Sequence, residues 1–186
     1  ELDGDRVVIA PPEGLFDLSP EEFPWWVAHI RSRQEKLAAR EAQLRGVPFY
    51  LPQREQKIRK NGRYRISHLP LFTGYLFFRG DLDVRLEVLK TNLCVRVIEV
   101  LDQSGIHHDL AQVHSLQSKG MPLVPHPELT IGHEVRVTEG PFAGLTGKVI
   151  HEKGGSRFVV AVRFIHRSVA VELPGDVLVP ALPAAR

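Results

Sequence analysis

The chain has 186 residues, a formal net charge of +2 at pH 7, 43% hydrophobic residues and 25% charged residues. These values are ordinary for a globular protein and exclude a fully disordered chain, a collagen and a coiled coil. The longest apolar run, near residues 69–78, is too short to cross a membrane. The single cysteine, Cys94, cannot form an internal disulfide or a cysteine-based zinc site. We therefore expect a cytoplasmic, monomeric protein without cofactor, metal or membrane partner.

The small net charge conceals an asymmetry along the chain. Residues 1–22 hold seven carboxylate side chains against Arg6 alone, so this acidic leader is strongly negative and the remaining chain is positive. An acidic, proline-containing segment of this kind is typical of a solvated tail. The alternative is that residues 7–9 dock on the body of the protein as an added strand or clip.

The first domain is predicted to span residues 23–120. Its first apolar run, residues 25–30, predicts a buried strand. Ser32 with Glu35 three positions later predicts a capping box that opens a helix over residues 33–45. Gly46 then ends this helix, and residues 47–51 form the next predicted strand.

Residues 54–65 are the most basic stretch, and Asn61-Gly62 lies at their centre. Asn-Gly favours a type I′ turn, which predicts a β-hairpin with an exposed basic tip. The elements expected after the hairpin are a strand, a helix, a strand and a short helix, at residues 69–78, 81–90, 95–101 and 109–119.

Three prolines between residues 121 and 130 predict an extended linker. After it, short strand candidates are separated by Gly, Pro and Asp turns, which predicts a small antiparallel β-barrel over residues 131–182. The strand candidates are residues 135–137, 146–150, 158–163, 169–172 and 177–179.

Two motifs carry a family resemblance. Residues 132–147, GHEVRVTEGPFAGLTG, resemble the KOW motif, whose glycines permit the turn between its first two strands. WWV at residues 25–27, a following helix and PLFTGYLF at residues 70–77 resemble the N-terminal domain of the NusG family of transcription elongation factors. The resemblance implies an α+β N-terminal domain, mainly antiparallel sheet flanked by helices with a basic β-hairpin, followed by a small all-β KOW barrel.

Within this family, residues 58–63 and 70–77 are more similar to the specialised paralogue RfaH than to the housekeeping NusG. The resemblance implies a non-enzymatic elongation and antitermination factor that binds RNA polymerase and suppresses pausing or termination. Its KOW domain would recruit a ribosomal or other factor. The alternative is a KOW-containing RNA-binding or ribosome-associated module without polymerase contact.

The resemblance also implies a polymerase-binding surface in the N-terminal domain, where a hydrophobic depression receives a helical element of the polymerase. Phe72 and Tyr75 match contact positions of the family, and Trp26 lies on the adjacent first strand. Exposed aromatic side chains gain most from burial in such an interface. The alternative is that all three side chains belong to the core.

Basic residues near the first helix and on the hairpin form a second candidate site, because exposed cations favour the phosphate backbone. The resemblance implies the non-template DNA strand as the ligand, with Arg31 and Gln34 at DNA-contact positions. The alternative is a charged, solvated surface. The candidates are Arg31, Arg33, Gln34, Lys36, Arg59, Lys60, Arg63 and Arg65.

Loops of the KOW domain form the third candidate site. By resemblance they would contact a small-subunit ribosomal protein or the termination factor rho, and the alternative is ordinary barrel core. The candidates are Phe142, Leu145, Phe164, Ile165 and Arg167. Three histidines at positions 107, 108 and 114 lie close in sequence but show no recognised ligand spacing. We therefore predict no catalytic residue and no metal.

Overall fold

The computed structural model describes residues 9–60, 62–126, 133–152, 155–172 and 179–180. The chain forms two compact units, Glu1–His107 (unit 1) and His108–Arg186 (unit 2), and the division falls within helix α3. Unit 1 contains β1 (Trp25–Ile30), α1 (Glu35–Leu44), β2 (Phe49–Tyr50), β3 (Gln53–Lys60), β4 (Arg63–Pro70), β5 (Tyr75–Arg79), α2 (Leu82–Lys90) and β6 (Cys94–Glu99). Helix α3 (Gln103–Ser118) follows.

The central sheet of unit 1 is antiparallel, with the strand order β2-β5-β1-β6. In β1, one of its two inner strands, five of six residues are buried, as expected for an apolar strand with neighbours on both sides. One face of the sheet packs with α1, and Ala38, Ala39 and Ala42 allow the helix to lie close to it. The predicted α+β fold of the N-terminal domain is therefore confirmed.

The β3–β4 hairpin is a separate two-stranded sheet, with all eight pairs in register from Gln53↔Pro70 to Lys60↔Arg63. Asn61 lies outside the described residues, and Gly62 has the positive φ of 75° that the predicted turn requires. The strand predicted over residues 69–78 is wrong in its bounds. Strand β4 ends at Pro70 and β5 begins at Tyr75, with a turn between them in which Gly74 has a φ of 84°.

The start of α1 also differs from the prediction. Gln34 is the N-cap residue and makes no side-chain capping bond, while Arg33 has a φ of 63°. Glu35 does not complete a capping box, because its carboxylate accepts a hydrogen bond from the Gly74 N–H instead. In contrast, α2 begins within one residue of the predicted position, and the Asp81 side chain caps it by accepting a bond from the Val84 N–H.

The described residues of unit 2 form six strands: β7 (Val124–His126), β8 (His133–Arg136), β9 (Thr146–Glu152), β10 (Gly155–Val162), β11 (Arg167–Val171) and β12 (Val179–Pro180). They form one antiparallel sheet in the order β12-β8-β9-β10-β11-β7, which confirms the all-β prediction for the C-terminal region. Residues 124–126 of the predicted linker pair with β11, and residues 127–130 lie outside the described part of the chain.

Candidate partner and nucleic-acid surfaces

A turn at residues 71–74 joins the hairpin to the central sheet and fixes the neighbouring candidate residues. The buried Glu35 carboxylate accepts a 2.8 Å bond from the Gly74 N–H, and the Ile30 N–H donates a 2.8 Å bond to the Gly74 carbonyl. The Tyr75 ring stacks on His29, with centroids 5.7 Å apart and planes at 28°. The end of β1, the start of α1 and Tyr75 therefore form one corner of unit 1.

The three predicted polymerase-binding residues differ in exposure. Tyr75 is half-buried. Phe72 and Trp26 keep only 3% and 8% of their surfaces accessible. The Phe72 ring packs edge-on against Phe77 at 6.2 Å, and the Trp26 indole N–H donates a 2.8 Å bond to the Gly80 carbonyl. Of the three, Tyr75 has the accessible surface that a direct partner contact requires.

The nucleic-acid candidates at the start of α1 share the same corner. Arg31 and Arg33 are exposed, whereas Gln34 and Lys36 are half-buried. The Arg31 guanidinium donates a 3.3 Å bond to the Asn92 side chain, which orients it along the surface. The left-handed backbone at Arg33 is uncommon for a residue with a side chain and stores about 1 kcal/mol or more of strain. The structure thus groups these four residues, as the sequence indicated.

The hairpin candidates do not all lie on one surface, because side chains alternate along each strand and directly opposite residues share a face. Arg59 pairs with Tyr64, and Ile58 pairs with Arg65, so Arg59 and Arg65 lie on opposite faces. Lys60 pairs with Arg63, which places these two positions on the face of Arg65. Arg59, Arg63 and Arg65 are all exposed. The sequence located this charge but could not assign its faces.

The described part of the acidic leader is not a solvated tail. Ile9 and Leu15 are buried, and the Ile9 N–H donates a 2.8 Å bond to the Gln53 side chain. The Arg79 guanidinium, itself fully buried, donates to carbonyl oxygens along this segment. Its acceptors are the carbonyl oxygens of Leu15, Leu18, Ser19 and Phe23, at 2.6–3.0 Å. Residues 9–23 are therefore an integral part of unit 1.

Arg79 has an unusual electrostatic environment. Burial lowers the pKa of its guanidinium, since the charged form has lost its water. It donates hydrogen bonds to neutral carbonyl oxygens, and its guanidinium lies 4.9 Å from the centre of the Trp25 ring. Carbonyl dipoles and an aromatic face thus take the place of water around the charge. Sequence reasoning missed Arg79, because nothing near it along the chain marks its partners.

The KOW-domain candidates are mostly inside unit 2. Phe142, Leu145 and Ile165 are buried, Phe164 is half-buried and Arg167 is exposed. The loop that carries the first two folds back on itself: the Val137 N–H donates to the Leu145 carbonyl and the Gly144 N–H donates to the Val137 carbonyl. Only Phe164 and Arg167 of these five candidates present accessible surface for a direct contact.

A cavity of about 480 Å³ also lies within unit 2 and is lined mainly by polar side chains. The buried Asp109 carboxylate accepts bonds of 2.9 and 3.1 Å from the Arg163 guanidinium and 2.9 Å from the Arg163 N–H. Gln112 accepts from the Thr146 N–H and hydroxyl at 2.5 and 3.2 Å. These polar groups therefore satisfy one another.

The described residues contain no cluster of three or more His, Cys, Asp or Glu side chains arranged to hold a metal ion. Cys94 is buried, and desolvation raises the pKa of its thiol, which disfavours the nucleophilic thiolate. In the part of the chain that the structure describes, no helix has the length and apolar character needed to span a membrane.

The described part of the chain combines an α+β domain that carries a basic hairpin with an all-β region, and comparison with known families shows which class of protein it belongs to. The family model "NusG: Transcription termination factor nusG" matches residues 23–117. The chain belongs to the NusG family, and it is a non-enzymatic transcription factor. A search of curated proteins found no match.

Alignments with solved structures extend over most of the chain at low sequence identity. The structure "Domain interaction in Thermotoga maritima NusG" has 15% identity and a TM-score of 0.48, covering 86% of this chain and 98% of its own. The crystal structure of the MjSpt4:Spt5 complex in conformation A has 13% identity and a TM-score of 0.26, covering 84% and 97% respectively. The family assignment rests on the family model.

Proposed function

We propose that the chain binds RNA polymerase through unit 1, suppresses pausing or termination, and recruits a ribosomal protein or rho through its KOW domain in the cytoplasm. Membership of the NusG family supports polymerase binding. The single observation that carries the assignment of the site is Tyr75, a partly exposed aromatic side chain held by β5, the turn at 71–74 and His29. A rigid aromatic anchor of this kind is typical of an interface hot spot.

Phe72 and Trp26 act in this proposal by shaping the surface from beneath. Both are buried in unit 1, and Arg85 lies with its guanidinium 5.6 Å from the Trp26 ring. By binding one form of the polymerase clamp more tightly than another, such a factor shifts the population toward the pause-resistant form. The mechanism requires no chemical step.

Replacing Tyr75 with alanine is expected to weaken binding to RNA polymerase about 30-fold or more, as truncation of a hot-spot residue does. Tyr75→Phe keeps the ring that stacks on His29 and should bind almost as well as the wild type. The measurement is binding of the full chain to polymerase purified from the same organism. Thr73→Ala, at an exposed neighbour in the adjoining turn, serves as the control. Equal binding by Tyr75→Ala and wild type would refute this assignment.

The proposal includes the non-template DNA strand as a second ligand. Its residues are Arg31, Arg33, Gln34, Lys36, Arg59, Lys60, Arg63 and Arg65. The exposed residues Arg31 and Arg33 belong to the same corner of unit 1 as Tyr75. This proximity would allow the protein to contact polymerase and the adjacent DNA at the same time. Phosphate contacts release counterions, which makes such binding strongly dependent on salt.

The double variant Arg31→Gln/Arg33→Gln is expected to reduce the salt dependence of DNA binding. The slope of log K against log salt should fall by about one for each phosphate contact that is lost. The check is a fluorescence anisotropy titration at several salt concentrations with the full chain. Arg136→Gln, which removes an exposed charge from unit 2, is the matched control. An unchanged slope in the double variant would exclude these two residues from the site.

For the KOW domain, Phe164 and Arg167 support a partner surface because they are the accessible members of the candidate set. Phe142, Leu145 and Ile165 would hold their loops in place from the interior. We also propose an RfaH-like role, supported by the sequence at residues 58–63 and 70–77. Mapping occupancy across the genome tests it: a few occupied operons support this role, and uniform occupancy supports a housekeeping factor.

A further inference from the structure

Residues 9–23 contact two separate sheets of unit 1. The β3–β4 hairpin forms a two-stranded sheet of its own, apart from the central sheet. At the base of the hairpin, the Ile9 N–H donates a 2.8 Å bond to the Gln53 side chain. Further along the segment, the Arg79 guanidinium, which belongs to β5 of the central sheet, donates to four carbonyl oxygens of the segment. We call residues 9–23 the strap.

The contact at the hairpin base accounts for an exception in the burial pattern of β3. Side chains on one face of a strand recur at every second residue, so Gln53 shares a face with Glu55, Lys57 and Arg59. The last three residues are exposed, whereas Gln53 keeps only 5% of its surface accessible. Ile9, which is also buried, bonds to the Gln53 side chain. The strap therefore holds the base of the hairpin on the face that is otherwise open to solvent.

Side chains of the central sheet hold the rest of the strap. The strap consists of turns and irregular backbone, with no residue in a strand or a helix between positions 9 and 23. Its Phe16 ring packs against the Trp25 and Tyr50 rings, with centroids 5.6 and 5.3 Å away. Arg79 donates its bonds to the strap at 2.6–3.0 Å. Because side chains make these contacts, the strap can detach in a local opening that leaves the central sheet paired.

We propose that the strap sets the angle between the β3–β4 hairpin and the central sheet, with Arg79 as its anchor and the Ile9–Gln53 bond as its hold on the hairpin. When the strap is docked, the base of the hairpin is fixed on its open face. When the strap is released, the hairpin turns about its connections at Pro52 and Leu71, where the Leu71 N–H donates a 2.7 Å bond to the Pro52 carbonyl. This conformational control goes beyond the proposed function and does not depend on it.

A small change in this angle produces a large displacement at the hairpin tip. Strand β3 has 8 residues, and at about 3.3 Å per residue it is about 26 Å long. A swing of about 20° would therefore move the tip by about 9 Å. The exposed Arg63 lies at the tip, whereas Tyr75 follows the turn at the base. The strap thus controls how far the cations of the tip lie from the corner of unit 1 that holds Tyr75.

The test measures the hairpin angle in the full chain by double electron–electron resonance. Spin labels at Arg40→Cys in α1 and Arg65→Cys in β4, both exposed positions, report on the angle, and Cys94→Ala removes the native thiol. A reference pair, Arg40→Cys and Leu101→Cys, reports on α1 and the end of the central sheet without the hairpin. With the strap docked, each pair should give one narrow distance distribution.

Three variants release the strap at different points, and each should at least double the width of the hairpin distribution while the reference distribution stays unchanged. Gln53→Met removes the acceptor at the hairpin. Arg79→Met acts at a distance, because the described hydrogen bonds of Arg79 go to the strap and not to the hairpin. Phe16→Ala removes the strap's aromatic contacts and keeps Arg79, so it tests the same release in a more stable protein. Arg85→Met, which removes an arginine over the Trp26 ring, is the matched control and should leave both distributions unchanged.

An unchanged hairpin distribution in Gln53→Met, Arg79→Met or Phe16→Ala would overturn the proposal, because the strap would then not act as one connection between the two sheets. Equal broadening of the hairpin and reference distributions would also overturn it, since the whole unit would then loosen. Samples are prepared well below the denaturation midpoint of each variant, with folding verified by tryptophan fluorescence. Polymerase binding by the wild type reports separately on the proposed function.

Discussion

Replacing Arg79 with methionine is expected to lower the free energy of unfolding of unit 1 by about 3–5 kcal/mol. Methionine has a similar length but no donor, so the carbonyl groups of Leu15, Leu18, Ser19 and Phe23 would lose their guanidinium partner. Buried acceptors without donors carry the full cost of their lost hydration. Urea denaturation followed by tryptophan fluorescence measures the change, because both tryptophans of the chain lie in unit 1.

Two variants separate the hydrogen-bonding geometry of Arg79 from its charge. Arg79→Lys keeps the positive charge but replaces five donors in a planar fork by a single ammonium group, so it should recover less than half of the loss. Arg85→Met removes an arginine that is half-buried over the Trp26 ring, and it should cost about 1 kcal/mol or less. A loss below about 1 kcal/mol for Arg79→Met would show that water replaces the guanidinium.

The docking of the leader on Arg79 changes what its negative charge can do. A solvated tail could move across the basic surfaces and mask them, but residues 9–23 are held by the core contacts of Ile9 and Leu15 and by Arg79. Removing residues 9–22 should therefore destabilise unit 1. The acidic side chains Glu13, Asp17, Glu21 and Glu22 remain exposed on this fixed segment.

Local signals in the sequence located several elements well. The apolar spacing over residues 81–90 predicted α2, and the Asp81 carboxylate caps its start by accepting a bond from the Val84 N–H. Gly46, with its φ of 68°, ended α1 as expected of a glycine after a helix. The Asn-Gly pair marked the hairpin. In each case the deciding interaction joins residues that are close together in the chain.

Predictions that depended on distant residues were less accurate. Ser32 and Glu35 fit a local capping box, yet Glu35 bonds to Gly74, 39 residues away. Helix α3 begins at Gln103 rather than Asp109, although Gly105 disfavours a helix there, because the Asp102 side chain accepts a bond from the Gly105 N–H. In both cases, a side-chain hydrogen bond outweighed the local sequence preference from which the helix start had been predicted.

In the candidate sites too, features set by nearby residues were predicted from the sequence, whereas features set by distant residues were not. The residue types of the basic hairpin were evident from the sequence, but their faces depend on a register that both strands set together. Phe72 and Tyr75 lie only three positions apart in one motif, yet one is buried against Phe77 and the other is accessible beside His29. Because β4 ends at Pro70 and β5 begins at Tyr75, Phe72 lies in a turn, and its burial is decided by packing against Phe77 rather than by strand alternation.

Replacing Phe72 with alanine is expected to lower the free energy of unfolding of unit 1 by about 3–5 kcal/mol, as truncation of a buried phenylalanine does. The ring is 3% exposed and packs edge-on against the fully buried Phe77, so its removal leaves a cavity under the turn at residues 71–74. The measurement is again urea denaturation followed by tryptophan fluorescence. Polymerase binding should be measured well below the denaturation midpoint, where the variant is folded.

The variants Phe72→Leu and Tyr75→Ala distinguish the buried role of Phe72 from the partner contact of Tyr75. Phe72→Leu keeps most of the buried volume and should cost roughly 1 kcal/mol, while binding polymerase within about threefold of the wild type. Tyr75→Ala should instead lose binding with the smaller loss of stability expected of a half-buried side chain. If Phe72→Ala unfolds at the wild-type midpoint yet fails to bind polymerase, then Phe72 turns toward the partner and the buried packing against Phe77 is not the state that binds.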